Sequence, residues 1–259
     1  MPAAWAVIDD ATPPNPTLTM VFAEQPPLLG WNRETQQPYG PLATVMNRVA
    51  ARAGLTLVWQ EPWARRRLLT DLEAGRQPLC TVNWALTADR AKRFKFTEPL
   101  GPVPDWVLLV RTSDPRIGNA PTLPELLARP DLVFGFSDGS WAEERYVHPA
   151  PNAAADASRA RNVPPHDAPN RERVRGGMSV LVAMINKGRI DYAIIDHRSL
   201  DRIMAEQGIP AGDLRTISAP NVGPNQPGRV MCTLSTPNTV IERLNQAIVE
   251  EARLPLAGD

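Results

Sequence analysis

Histidine, tyrosine and cysteine are scarce in this chain of 259 residues, with three, three and two copies. Cys80 and Cys232 cannot complete a zinc site unaided, and no histidine lies at ligand spacing from either, so no metal is expected. His148, His166 and His197 lie far apart. The chain has no Gly-x-Ser-x-Gly elbow, no phosphate loop and no Gly-x-Gly-x-x-Gly turn. Nothing in it therefore demands catalysis or a cofactor. Excess charge is also missing: Lys+Arg and Asp+Glu both number 28, for a formal net charge of zero. Without a basic field, neither nucleic acid nor an anionic membrane is an expected partner. The run Arg65-Arg66-Arg67 is too short to alter this and reads as the solvated face of a helix. No apolar run approaches the ~20 residues of a membrane span. The opening MPAAWAVIDDATPPNP lacks the basic start and apolar stretch of a secretory signal. The expectation is a cytosolic chain or a processed one.

Proline, by contrast, is abundant. Its 28 copies exceed the usual ~5% and cluster at 13–16, 26–27, 99–104 and 164–169, marking loops and crossovers. Apolar residues at 43% and charged residues at 22% fit a globular protein. The length suits two compact domains or one large one.

Along the chain, short apolar runs alternate with helical spacing. Strands are expected at 17–23, 55–59, 79–82, 94–97 and 106–111. Helices are expected at 41–53 and 63–74, closed by Gly54 and Gly75. The pattern then restarts, with a short helix at 123–128, a strand at 132–136, and a helix opened by Gly139-Ser140. A long loop follows over 148–170. Next come a helix at 179–187, a strand at 190–195, a helix at 199–207, a strand at 228–234 and a final amphipathic helix at 239–252. Such alternation implies βαβ units and a largely parallel sheet in each half. The expected architecture is α/β in two lobes, with the chain crossing near 101–105 and again within 218–228. Lobe 1 then comprises 1–103 and 225–259, and lobe 2 comprises 104–224. Two crossings make a hinge with a cleft between the lobes.

The segment 79–100, LCTVNWALTADRAKRFKFTEPL, carries most of the functional signal. It reads as a buried strand, a Thr-x-x-Arg turn at 87–90, and a second extended stretch. In open α/β sheets the ligand crevice lies outside the carboxyl ends of the strands. Arg90 falls there, and a guanidinium is a fixed fork of donors suited to a carboxylate.

Several short stretches, in this order and spacing, resemble the amino-acid-type periplasmic solute-binding proteins of ABC importers. They are Pro26-Pro27, Gly54-Leu55, Leu72-Glu73-Ala74-Gly75, Leu86-Thr87-Ala88-Asp89-Arg90, Phe96-Thr97-Glu98-Pro99-Leu100, Gly139-Ser140 and Gly188-Arg189-Ile190-Asp191-Tyr192. Pro62-Trp63-Ala64-Arg65 marks a divergent branch. The resemblance spans roughly 18–251 and implies a type II periplasmic-binding fold that closes on a small ligand by hinge motion. It implies that Arg90 pairs with a ligand carboxylate and Asp196 with an ammonium. Gly139 and Ser140 add bonds to the carboxylate from the second lobe. Asn83 and Ala85 depart from the family, which often carries small hydroxyl residues there, and Asn83 is a further candidate contact. Because the returning strand of such folds lies beside the third strand, Cys80 and Cys232 become neighbours. Two free thiols or one disulfide both remain open, the disulfide requiring an oxidising compartment.

Bland roles compete at each position. Arg90 could be a surface arginine paired with Asp89 or Glu98. Asp196 and Ser140 are also natural helix caps, and Asp191 reads as structural. Trp63, Trp84 and Trp141 are commonly core residues, but Trp84, adjacent to the Arg90 loop, is the first choice for stacking on a ligand, followed by Trp141. Glu24 and Gln25 fall at the rim, and His197 at the cleft mouth. The expected function is capture of a small carboxylated or zwitterionic, amino-acid-like solute in the periplasm by a monomer, with an ABC permease as partner and the signal segment removed. The alternatives are an enzyme on the same fold, similar to cyclohexadienyl dehydratases with Glu24 or Asp196 as general acid, and a ligand-sensing domain.

Overall fold

The computed structural model describes residues 15–118, 121–138, 140–147, 170–219, 222 and 226–252. Its first half builds strand and helix in alternation. Strand β1 (Thr17–Met20) buries Leu18 and Met20. A small hairpin follows, β2 (Gly30–Asn32) and β3 (Gln37–Tyr39). Helix α1 (Pro41–Arg52) then buries Ala43, Met46, Val49 and Ala50, the spacing of one helical face. Pro41 begins the helix, where its missing N–H costs nothing. Gly40 precedes it at φ 102°, where a Cβ would stand 2.5 Å from the Leu28 carbonyl oxygen, so no larger residue fits. Strand β4 (Thr56–Trp59), helix α2 (Arg65–Ala74), strand β5 (Cys80–Trp84), helix α3 (Ala88–Arg93) and strand β6 (Phe94–Pro99) complete the run.

The second half repeats the scheme. It comprises β7 (Trp106–Arg111), α4 (Leu123–Leu127), β8 (Phe134–Ser137), α5 (Trp141–Tyr146), β9 (Arg171–Val174), α6 (Met178–Asn186), β10 (Tyr192–Asp196), α7 (Leu200–Gln207) and β11 (Leu214–Ser218). The chain then returns with β12 (Arg229–Thr233) and α8 (Asn238–Ala252).

The strands form two five-stranded sheets, ordered β4-β1-β5-β12-β6 and β11-β7-β10-β8-β9. In the first, β1 runs parallel to β4 and β5, while β12 runs antiparallel to β5 and β6. In the second, β8 runs parallel to β9 and β10, and β7 antiparallel to β10 and β11. The chain passes between the sheets after β6 and again after β11. Each sheet is covered on both faces. Met20, Val82 and Cys80 pack toward α1 and α8, while Leu79 and Phe94 pack toward Leu68 and Leu72 of α2. The result is a two-lobed α/β fold. Cys80 and Cys232 face each other across β5 and β12 and are joined by a disulfide, which fixes the returning strand in the first sheet.

At the end of the second sheet opposite Asp196, charges are gathered. Asp191 accepts from the Arg111 guanidinium at 2.7 Å and from the Val133 N–H at 2.7 Å. Buried Asp114 accepts from Arg111 at 3.0 Å and Arg116 at 2.6 Å. The bond from Arg116 is the main reason the Asp114 carboxyl is lowered to about 2. This cluster ties the β7 and β10 ends together, which is the structural role read for Asp191.

The structure departs from the sequence expectation in several places. Both sheets are mixed rather than largely parallel, because the returning strand β12 and the β7 strand each pair antiparallel with both neighbours. Residues 87–93 are the cap and body of a helix rather than an open turn. The β2–β3 hairpin, β9 and β11 went unrecognised. Of the expected loop 148–170, residues 148–169, with His148 and His166, lie outside the described residues, as does Gly139.

Candidate functional site

The carboxyl ends of β1, β5, β8 and β10 converge on a cleft of about 410 Å³. One wall is built from Gln25 to Leu28 and from Asn83 and Ala85, the other from Gly135 to Ser137, Ser140 to Ala142 and Ile194. The first interlobe connection, at Leu100 to Pro102 and Pro104, closes one side. The volume lies in the range of small-molecule sites.

Asn83 has φ 66°, a left-handed conformation that asparagine tolerates better than most residues. There its Nδ2 donates to Gln25 Oε1 at 3.0 Å. A Cβ on Gly228 would come within 2.2 Å of Asn83 Oδ1 and 3.1 Å of its Cα, so any larger residue there would displace the Asn83 amide. The same twist re-aims the next residue. Cys80 and Val82 face α1, but Trp84, two positions on, packs with Leu68, Leu72 and Phe94 against α2. Its indole N–H donates to Thr81 Oγ1 at 3.1 Å, and it is only 3% exposed. Trp84 is therefore a core residue of the first lobe and does not line the cleft.

Arg90 is also 3% exposed. Thr87 Oγ1 accepts from the Arg90 N–H at 3.2 Å, so the Thr-x-x-Arg spacing is an N-cap holding the helix that carries the arginine. The guanidinium donates to the Ala85 carbonyl at 3.2 Å and lies 4.9 Å from the Trp84 ring centre. It thus sits directly behind the cleft wall at Ala85. Arg65 lies 5.0 Å from the same ring and does line the cleft. The sequence signal for Arg65 was present in the Pro-Trp-x-Arg stretch, but the neighbouring arginines masked it as a solvated face. Of the three, Arg66 and Arg67 are exposed and Arg65 half-buried.

On the second lobe, Ser140 caps α5, its Oγ accepting from the Glu143 N–H at 3.3 Å, and it also lines the cleft. Trp141 follows and meets Trp106 edge-on, centroids 4.9 Å apart. Both rings line the cleft, and the sequence reading had missed Trp106. Asp196 ends β10 at the cleft with 6% exposure. Its carboxylate is bridged by Arg198, at 2.8 Å and 3.1 Å, and accepts from the Asp105 N–H at 3.1 Å. That bridge is the main cause raising the Arg198 pKa. Glu24 turns away, its Oε1 accepting from the Trp31 N–H at 3.2 Å. His197 pairs with Asp105 at 3.4 Å, both largely exposed. Among the described residues no cluster of potential ligands could hold a metal ion, and no helix is long and apolar enough to cross a membrane.

The profile of the bacterial extracellular solute-binding proteins, family 3, matches residues 18–248. The chain belongs to that family. No curated protein matches it in sequence. Among solved structures, an ancestral arginine-binding protein bound to arginine is 14% identical with a TM-score of 0.66, covering 93% of this chain and 94% of that one. Holo ArgBP from T. maritima is 16% identical with a TM-score of 0.65, covering 92% of each chain. A histidine kinase sensor domain with similarity to periplasmic binding proteins is 14% identical with a TM-score of 0.70, covering 93% and 92%. At these identities the neighbours establish the two-lobed fold. The family establishes a ligand-binding role.

The two lobes also touch each other across the cleft. Arg66 of α2 reaches across to Asp138 at 2.7 Å and Glu143 at 3.1 Å. Arg173 backs the same pair, 2.8 Å from Glu143. On another side of the cleft, Ser179 Oγ donates to the Pro26 carbonyl at 2.7 Å.

Proposed function

We propose that this solute-binding protein captures a small organic carboxylate in the interlobe cleft, closes on it by motion about the two connections, and presents it to an ABC permease in the periplasm. The observation that carries the reading is the charge and polarity of the walls. Among the described lining residues, the ionisable ones are Arg65, Arg198 and Asp196, an excess of one positive charge among apolar, aromatic and a few uncharged polar side chains. Arg90 adds its charge from directly behind the wall. A carboxylate meets the Arg65 end, with the Asn83 amide and Ser140 hydroxyl as further contacts. Trp141 and Trp106 cover the apolar body. Burial among Leu28, Leu42, Phe136 and Ile194 contributes roughly 25 cal/mol per Å² of apolar ligand surface. In this reading lobe 1 is 1–103 with 225–259 and lobe 2 is 104–224. The disulfide supports an oxidising compartment.

A thermal-shift screen of aliphatic and aromatic carboxylates, amines and neutral sugars tests the reading. Stabilisation by carboxylates and not by amines or sugars is expected. A hit list confined to amines or sugars overturns it. The sensor-domain neighbour favours a second reading, in which the same cleft reports ligand to an attached signalling domain. Loss of uptake on deleting the gene supports transport, and loss of a transcriptional response with uptake intact supports sensing.

A further inference from the structure

Resting on the carboxylate reading, we propose that Arg198 occupies the place in the cleft where a ligand ammonium would go, so that the solute is an acid with an oxygen, not an amine, beside its carboxylate. An ammonium taken out of water needs a carboxylate to compensate it. Among the described lining residues Asp196 is the sole carboxylate, and it is already committed. Oδ2 accepts from the Arg198 NH2 group at 2.8 Å. Oδ1 accepts from Arg198 Nε at 3.1 Å, the Asp105 N–H at 3.1 Å and the Arg198 N–H at 3.4 Å. Four donors on two oxygens nearly exhaust a carboxylate, which offers about four lone-pair sites. The two-point fork is the strong form of such a pair.

Arg198 is held in place by its own position. It lies two residues after Asp196 in the 3-10 turn His197–Ser199, with both its backbone N–H and its guanidinium on the same carboxylate. A zwitterion would set a second positive charge beside this guanidinium. A carbonyl or hydroxyl oxygen meets the opposite situation. A guanidinium has five N–H donors, and Asp196 takes one from Nε and one from NH2. Three N–H donors are left over on a side chain that lines the cleft. The class of ligand that fits is a 2-oxo or 2-hydroxy acid with an apolar body.

The test is calorimetric titration of matched pairs at neutral pH: 4-methyl-2-oxopentanoate against L-leucine, and phenylpyruvate against L-phenylalanine. Each is titrated into the wild type and into Arg198→Ser. The wild type should bind the oxo acid of at least one pair ten times or more tighter than its amino acid, and R198S should shift that ratio at least tenfold toward the amino acid. A wild type that binds the amino acids as tightly, or a ratio unmoved in R198S, overturns the inference while leaving the carboxylate reading in place. Binding of no carboxylate by either protein overturns both. If R198S unfolds early, Arg198→Lys, which keeps the charge and loses the fork, should move the ratio in the same direction by a smaller amount, and an unmoved ratio overturns the inference equally.

Discussion

Asn83 decides more of this site than its side chain suggests. Its left-handed φ breaks the alternation of β5, and Trp84 follows the break into the first-lobe core. Sequence spacing assumes an unbroken strand, so no pattern-based reading could have placed Trp84 correctly. Trp84→Ala should therefore act on stability. Truncating a buried tryptophan costs about 3–5 kcal/mol, or roughly 10 °C in melting temperature for a chain of this size. A melting curve shifted by less than a third of that contradicts the placement. The sequence singles out Arg90 in its loop but does not show its depth. A residue 3% exposed that bonds Ala85 and stacks on Trp84 serves the wall as well as any ligand. Arg65 escaped notice for the reverse reason: its charged neighbours dominate the local sequence, and only the start of α2 turns it inward.

Helices and central strands were readable because each signals itself through periodicity and caps. Gly54 and Gly75 mark the ends of α1 and α2, and the five residues of β10 are all buried. The missed strands β9 and β11 are the edges of the second sheet. β9, with the sequence RERV, carries the charges that edge strands use to avoid mispairing, so it reads as a loop. Helix α2 contributes Arg66 to the interlobe ion pairs with Asp138 and Glu143. Arg66 is exposed, which keeps each pair weak, although Glu143 is buried, and the pairs form only when the lobes meet. Arg66→Ala should raise the dissociation constant of the cleft ligand about threefold, mostly through faster release, with the melting temperature of the unliganded protein unchanged. An unaltered release rate in stopped-flow tryptophan fluorescence would argue against that role. At the far end of the sheet, the lowered Asp114 carboxyl gives a pH signature. A carboxyl whose folded pKa lies below its unfolded value stabilises fully above the unfolded value, and loses that contribution as pH falls through the folded one. Thermal melts should show wild type losing stability between about pH 4 and pH 2 in excess of Asp114→Asn, which is less stable at neutral pH by about 3 kcal/mol. Parallel pH curves for the two proteins would refute the assignment.

Two α/β lobes, two crossings and a cleft at the strand ends form one arrangement, and the sequence displayed it through the restart of the strand–helix pattern after β6. It could not display what the lobes do to each other. The Asp196–Arg198 bridge, the Trp106–Trp141 contact and the reach of Arg66 all depend on tertiary placement. The central claim is that the cleft holds a carboxylate at the Arg65 end. It is tested most directly by isothermal titration of the best carboxylate from the screen into wild type and Arg65→Ala. A charge-assisted hydrogen bond is worth about 1.5–3 kcal/mol, so the variant should bind at least about tenfold more weakly while still melting cooperatively. Equal affinity in the two proteins would contradict the account.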